Sequence, residues 1–340
     1  MKTNYYLERN KKNIQQISKY LENLPSFVFD FFVGVENQTT TLTRANYAMD
    51  LRIFFEYLNN YKFFCGTENI TLSQLDSLTA TDIESYLSYL SFYEFNGKVY
   101  HNTERGKARK LSSLRSFFKY FFNKEKLSKN IISKIPTPKQ HQKEILRMEV
   151  DEVAKMLNFA EDASFATSHQ TSYNKNTAKR DFAILSLFLG TGIRVSELVG
   201  LNIEDIDFNS NAFKIVRKGG NQVVLYFGDE VKDALLAYME ERLEQKIDTN
   251  ALFLSLQKQR ITTRAVQNLV KKYAKEVSPL KKISPHKLRS TYGTNLYRET
   301  QDIYIVADVL GHKDVNTTKK HYAAISEDLR KNAASKVKLR

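Results

Sequence analysis

Gly190-Thr191-Gly192-Ile193-Arg194-Val195-Ser196-Glu197-Leu198 is the stretch that decides how this chain folds. Upstream, residues 179–189 form a mostly apolar run of helical length, and the glycines that follow stop it. Downstream, Val195 to Leu198 opens a second helix, so Arg194 stands at the junction of two helices. Glu197 lies one turn beyond Arg194. Arginine offers a planar fork of donors matched to phosphate oxygens, so a junction arginine is a candidate oxyanion ligand.

The rest of the second half adds to that reading. The runs 212–216 and 222–226 are rich in β-branched and aromatic residues and flank Lys218-Gly219-Gly220-Asn221, the pattern of a hairpin. Val231, Leu235, Tyr238 and Met239 mark one helix; Val266, Leu269, Val270 and Tyr273 mark another, capped by Thr262 or Thr263. A third opens at Ser284-Pro285, with proline suited to a first turn, and carries His286 and Arg289 three residues apart. A fourth covers 303–310 and ends at Gly311, next to His312, and Tyr322 follows ten residues after His312. Two arginines, two histidines, a lysine and a tyrosine come without an acidic cluster. That set suits phosphate chemistry carried out without a metal or other cofactor.

The first half reads as helices with a basic face. Ile14, Ile17 and Leu21 have helical spacing in a polar segment, 1–24, which is taken as an N-terminal arm or short helix. A Phe-rich helix follows Leu24-Pro25-Ser26, and Tyr47, Leu51, Phe54, Phe55 and Leu58 line one face of the next, capped by Thr41 or Thr43. Another begins at Thr81-Asp82. A polar stretch, 96–105, leads to a long helix that buries Leu111, Leu114, Phe117, Phe118 and Phe121 and exposes Arg105, Lys107, Arg109, Lys110 and Arg115. Two prolines, Pro136 and Pro138, and no apolar period mark an interdomain linker at 136–147. A helix from Met148 to about residue 160 opens the second domain, and the polar segment 161–177 reads as a surface loop.

Composition limits the classes. The 340 residues carry 52 Lys+Arg against 38 Asp+Glu, a net charge of +14, which favours a polyanionic partner. The single cysteine, Cys65, excludes an internal disulfide framework and a Cys-based zinc finger and fits a reducing compartment. No apolar run approaches the ~20 residues that cross a bilayer, and the start lacks an apolar signal core. A cytoplasmic protein without a membrane partner is expected.

In this order, Arg194, Lys218, His286-x-x-Arg289, His312 and Tyr322, with the Gly-Thr-Gly context of Arg194 and the Leu310-Gly311-His312 turn, the set resembles the tyrosine recombinase/phage integrase family. The resemblance covers about residues 25–330. It implies a mainly α fold with a small β-sheet: a helical, SAM-like core DNA-binding domain at 25–135 and a mixed α/β catalytic domain at 148–325. The tail, 326–340, has Leu329, Ala333 and Val337 at helical spacing, and the resemblance implies that it docks on a neighbouring protomer. The interval from His312 to Tyr322 is one residue longer than the commonest family pattern, which would place the nucleophile at His321. Tyr322 is the only tyrosine after His312, so a one-residue insertion in 316–320 is the expectation.

The resemblance further implies a mechanism. Tyr322 attacks a DNA phosphodiester, forms a 3′-phosphotyrosyl link and frees a 5′-hydroxyl. His286 acts as base or orienter, and Lys218 protonates the leaving oxygen. Arg194 and Arg289 hold the non-bridging oxygens, and His312 donates to the same oxygens and orients Tyr322. Four protomers act on two duplexes through a Holliday junction, with an accessory or DNA-translocase protein as a further partner. Lys107, Arg109, Lys110 and Arg115 on the first domain, and Arg264, Lys271 and Lys272 on the second, are candidate phosphate contacts on double-stranded DNA. The biological role would be Xer-like chromosome-dimer resolution, a cell-division task, or mobile-element integration. The alternatives are a catalytically inactive DNA-binding protein of this fold and a type IB topoisomerase-like enzyme.

Overall fold

The structure is a computed structural model that describes residues 5–139, 146–162, 177–217, 220–311 and 315. It divides into two compact units, with the change between Lys143 and Glu144.

The first unit is helical because its apolar residues recur at helical spacing and its polar hydroxyls sit at helix starts. Its helices are α1 (Tyr5–Leu21), α2 (Phe27–Gly34), α3 (Thr41–Leu58), α4 (Leu72–Ser77), α5 (Ala80–Tyr89) and α6 (Glu104–Asn123). The segment read as an arm is therefore largely α1, which packs on α3 and is tied to it by Asn13 Nδ2 donating to Thr41 Oγ1 at 3.0 Å. The cap of α3 is Thr40, whose hydroxyl accepts from Thr43 N–H at 3.2 Å, in place of the expected Thr41 or Thr43. Thr79 likewise starts α5 earlier than expected, in a reciprocal capping box with Asp82. The polar stretch before α6 holds a hairpin, β1 (Tyr93–Phe95) with β2 (Lys98–Tyr100), closed by Asn96 and Gly97 at φ 51 and 68.

The core of this unit is aromatic. Phe31, Phe54, Phe55, Phe117, Phe118 and Phe121 are fully enclosed, and Phe117 packs edge-on against Phe31 and Phe121 at 5.3 and 5.0 Å between ring centres. Each such ring contributes about 1.5–3 kcal/mol by leaving water. Phe29 is on the opposite face of α2 and is exposed.

Inside this unit, among the described residues, one carboxylate is buried. Asp50 has no exposure and accepts from Arg109 Nη1 and Nη2 at 2.5 and 2.7 Å, Ser113 Oγ at 2.7 Å and Lys110 Nζ at 3.3 Å. Lys110 is itself 3% exposed, so it is not on the exposed basic face expected of it from sequence. The cause is Asp50, which compensates a charge that burial otherwise disfavours: burial and Arg109 push the lysine pKa down, and Asp50 opposes them. Arg115 is also committed, donating to Ile135 O at 2.6 Å and Thr137 Oγ1 at 2.8 Å, which holds the first part of the proline segment against α6.

The second unit begins with α7 (Val150–Asp162) and α8 (Ala178–Thr191). Helix α8 is apolar on most sides, and it contacts α7, α10 (Asp229–Glu244) and α12 (Pro285–Thr300). Between them run α9 (Val195–Gly200) and an antiparallel sheet of β3 (Ile206–Asp207), β4 (Ala212–Val216) and β5 (Gln222–Tyr226), with Val216 opposite Gln222 at the turn end. Helix α11 (Thr263–Val277) follows, capped by the Thr262 hydroxyl, and α13 (Ile303–Leu310) closes the described part. No helix among the described residues is long and apolar enough to cross a membrane.

Candidate active site

Three segments converge on the C-terminal end of α13. The first is the α8–α9 junction. Gly192 ends α8 in the left-handed region at φ 63, and its N–H donates to Phe188 O at 3.0 Å. A side chain there would overlap the Tyr292 ring and the Leu310 side chain. Arg194 follows as the N-cap of α9, and Glu197 reaches back to it: its carboxylate accepts Arg194 N–H at 2.9 Å and Arg194 Nη1 at 2.9 Å. Glu197 is 4% exposed, so this buried anion fixes the arginine from behind. The free edge of the guanidinium donates Nη2 to Leu310 O at 3.1 Å and Gly311 O at 3.2 Å.

The second segment is α12. Pro285 occupies its first turn and is followed by His286. Arg289, one turn on, is 4% exposed and donates Nη1 to Gly192 O and Nη2 to Leu310 O. Arg194 and Arg289 therefore share the Leu310 carbonyl as acceptor. His286 stays exposed on the first turn while Arg289 turns inward. The third segment is the end of β4, where Arg217 donates Nη2 to Val309 O at 2.8 Å. The last carbonyls of a helix carry partial negative charge and lack intrahelical partners, so guanidinium groups gather there. Gly311, at φ 60, turns the chain out of α13 beneath Arg217.

Lys218, His312 and Tyr322 lie outside the described residues, as do His321 and the tail 326–340. Each of the first two adjoins a described residue of this cluster in the chain, Arg217 and Gly311. Arg217 itself was not singled out from sequence. Its position beside Lys218 was visible, but its reach to α13 was not. No group of His, Cys, Asp and Glu among the described residues could hold a metal ion.

The basic candidates separate by partner. On α6, Lys107 pairs with Glu104 at 3.2 Å, and Arg109 is half-exposed while bound to Asp50. Arg105, Arg109 and Lys119 form an exposed cationic stripe on that helix, and Lys119 is an addition to the cations expected from sequence. On α11, Arg264, Lys271 and Lys275 are exposed on one face. Lys272 is not with them: it lies 3.5 Å from Asp181 and 4.4 Å from the centre of the Tyr273 ring. Asp181, 2% exposed, also accepts from Arg180 Nη2 at 2.7 Å and Tyr273 OH at 3.1 Å, which joins the start of α8 to α11.

Gly192→Ala tests the geometry of the junction. It imposes a left-handed conformation that costs an L-residue ~1–2 kcal/mol, and the added methyl displaces Tyr292 or Leu310 from beside the two arginines. A lower thermal midpoint is expected, together with a loss of DNA cleavage larger than the change in folded fraction at assay temperature. A variant of unchanged midpoint and activity would show that the junction tolerates the displacement.

A helical unit followed by an α/β unit that aims two arginines at one acceptor is the layout expected of an enzyme of phosphoryl transfer on a polyanion. Residues 147–328 match the phage integrase family. A tyrosine recombinase XerC of Syntrophus aciditrophicus is 32% identical over 310 residues, covering 88% of this chain and 92% of that one. A XerC of Caldanaerobacter subterraneus is 32% identical over 320 residues, with 92% and 86% covered. In fold, the chain resembles a XerH site-specific recombinase bound to palindromic difH substrate in a post-cleavage complex, with a TM-score of 0.64, 17% identity and 96% of each chain covered. The chain belongs to the phage integrase family and is a tyrosine-type, Xer-like site-specific recombinase.

Proposed function

We propose that this chain cuts and rejoins double-stranded DNA at a specific site through a covalent phosphotyrosine at Tyr322. The observation that carries the site assignment is the convergence of Arg194 and Arg289 on the Leu310 carbonyl. Two guanidinium groups that meet at one carbonyl stand close enough for one phosphate to be served by both when DNA enters. Lys218 then protonates the leaving 5′-oxygen, His286 takes up or orients the tyrosine proton, and His312 joins the arginines on the phosphate. Residues 25–135 serve as the core DNA-binding domain, 136–147 as linker, 148–325 as catalytic domain and 326–340 as a tail for a neighbouring protomer. The exposed stripes Arg105–Arg109–Lys119 and Arg264–Lys271–Lys275 track phosphates. Four protomers act on two sites in the cytoplasm, with an accessory or translocase protein, in chromosome-dimer resolution or element integration.

The test is covalent trapping on suicide duplexes, nicked so that the freed strand diffuses away, carrying candidate chromosomal or element-end sites. A denaturation-resistant adduct is expected, with the DNA-linked peptide mapping to Tyr322. Tight binding without an adduct on any site would point to the inactive binder. Adduct formation with relaxation of a plasmid lacking any site would point to the topoisomerase-like enzyme.

A further inference from the structure

Arg217 joins two turns of the second unit that lie some ninety residues apart in the chain. Its main chain forms the base of the β4–β5 turn: its N–H donates to Asn221 O at 2.8 Å, and its carbonyl accepts from Gly220 N–H at 3.1 Å. Its side chain leaves the hairpin altogether. Nη2 donates to Val309 O at 2.8 Å, and Nη1 reaches Asp308 O at 3.5 Å, both at the end of α13. The guanidinium lies against Gly311 so closely that any side chain at 311 would overlap it. Its Nε is buried and has no partner among the described residues. Burying a charged group with a donor unmet is unfavourable, and the two carbonyls are what the side chain obtains in return. Lysine, a point charge without a fork, cannot reproduce that pair of contacts.

In the chain, Lys218 follows Arg217 directly and His312 follows Gly311 directly. Both ends of the Arg217 contact are thus one residue from a proposed catalytic group. We propose that Arg217 is a positioning residue for DNA cleavage, latching the lysine-bearing turn to the end of α13 so that the Lys218 ammonium is held at the leaving oxygen. The inference rests on the reading of Lys218 as proton donor. In the step concerned, the bond from Tyr322 oxygen to phosphorus forms and the bond from phosphorus to the 5′-oxygen breaks. The tyrosine proton passes to His286, and an ammonium proton passes from Lys218 to the 5′-oxygen, giving a 5′-hydroxyl and a neutral amine. In this role Arg217 acts through Lys218 and not on the reacting atoms themselves.

Leaving-group substitution separates this role from a general one. Cleavage is measured on suicide duplexes with an ordinary 5′-oxygen and with a 5′-bridging sulfur, for the full chain and for Arg217→Ala, Arg217→Lys and Lys218→Ala. A thiol with a pKa near ~8.5 leaves without a proton donor. Arg217→Ala is expected to lose roughly 30- to 100-fold on the oxygen substrate, within the ~10²–10⁴-fold range of general acid catalysis, with the sulfur substrate cleaved near the wild-type rate. Lys218→Ala is expected to lose more on oxygen and to recover on sulfur in the same way, and Arg217→Lys is not expected to restore the rate. Binding of intact duplex stays unchanged. Equal losses on both substrates, or no loss, would overturn the positioning role. Lys218→Ala that fails to recover on sulfur, while the Tyr322 adduct still forms, would overturn the inference and leave the recombinase reading intact. Absence of any adduct with the wild-type chain would overturn both. The latch itself is checked without DNA: Arg217→Ala is expected to speed amide hydrogen exchange in peptides covering 220–226 and 303–311, and unchanged exchange would show that no latch exists.

Discussion

Tyr322→Phe is expected to abolish the protein–DNA adduct, with cleavage falling on the order of 10⁴-fold or more, as when a covalent nucleophile is removed from a concerted site. DNA binding should persist, because the exposed cations of α6 and α11 and the arginines at α13 are untouched by loss of one hydroxyl. The size of the effect follows from the arrangement. Arg194 and Arg289 stabilise charge on phosphate oxygens, but neither can form the bond to phosphorus. His321→Phe is the companion variant, since the long interval after His312 places that histidine where the commoner spacing puts the nucleophile. It is expected to keep the adduct. An adduct lost in His321→Phe and retained in Tyr322→Phe would place the nucleophile at 321 and reverse the proposed insertion. Gel analysis of both variants on the same suicide duplex decides it.

Asp50→Ala is expected to have the largest effect on stability. It leaves the Lys110 ammonium buried with no carboxylate, and breaking one side of a buried pair costs about 3–5 kcal/mol. A domain holds only about 5–15 kcal/mol in total, so unfolding of the first unit should move to much lower temperature or urea concentration. The double variant Asp50→Leu with Lys110→Met removes both charges at once and is expected to recover much of the loss. Denaturation followed by circular dichroism on the full chain reads both. A loss below about 1 kcal/mol in Asp50→Ala would mean that Lys110 reaches water once its partner is gone.

Much of this was legible before the structure. The phenylalanine period of α6, the glycine stop after α8, the hydroxyl cap of α11 and Pro285 at the head of α12 are local signals, and local physics produces them. Cation partners were not legible. Lys110 and Lys272 look like their neighbours in the chain, and what draws the first into the core and ties the second down are Asp50 and Asp181, each far away in sequence. The same distance hid Arg217, whose acceptors lie some ninety residues on. The β1–β2 hairpin escaped for a different reason. Its strands are three residues long, too short to show alternation, although Asn96-Gly97 carried the turn signal.

The cluster at the end of α13 also bears on how such enzymes can be recombined with one another. Four successive carbonyls, from Asp308 to Gly311, are served by arginines from three separate stretches of chain. A hybrid that imports helix 303–311 from a relative without its matching hairpin 212–226, junction 190–198 and helix 285–300 inherits acceptors without donors, or donors without acceptors. These four segments form one unit of exchange despite their separation in the gene, and domain shuffling that respects it should keep activity where single-segment grafts lose it.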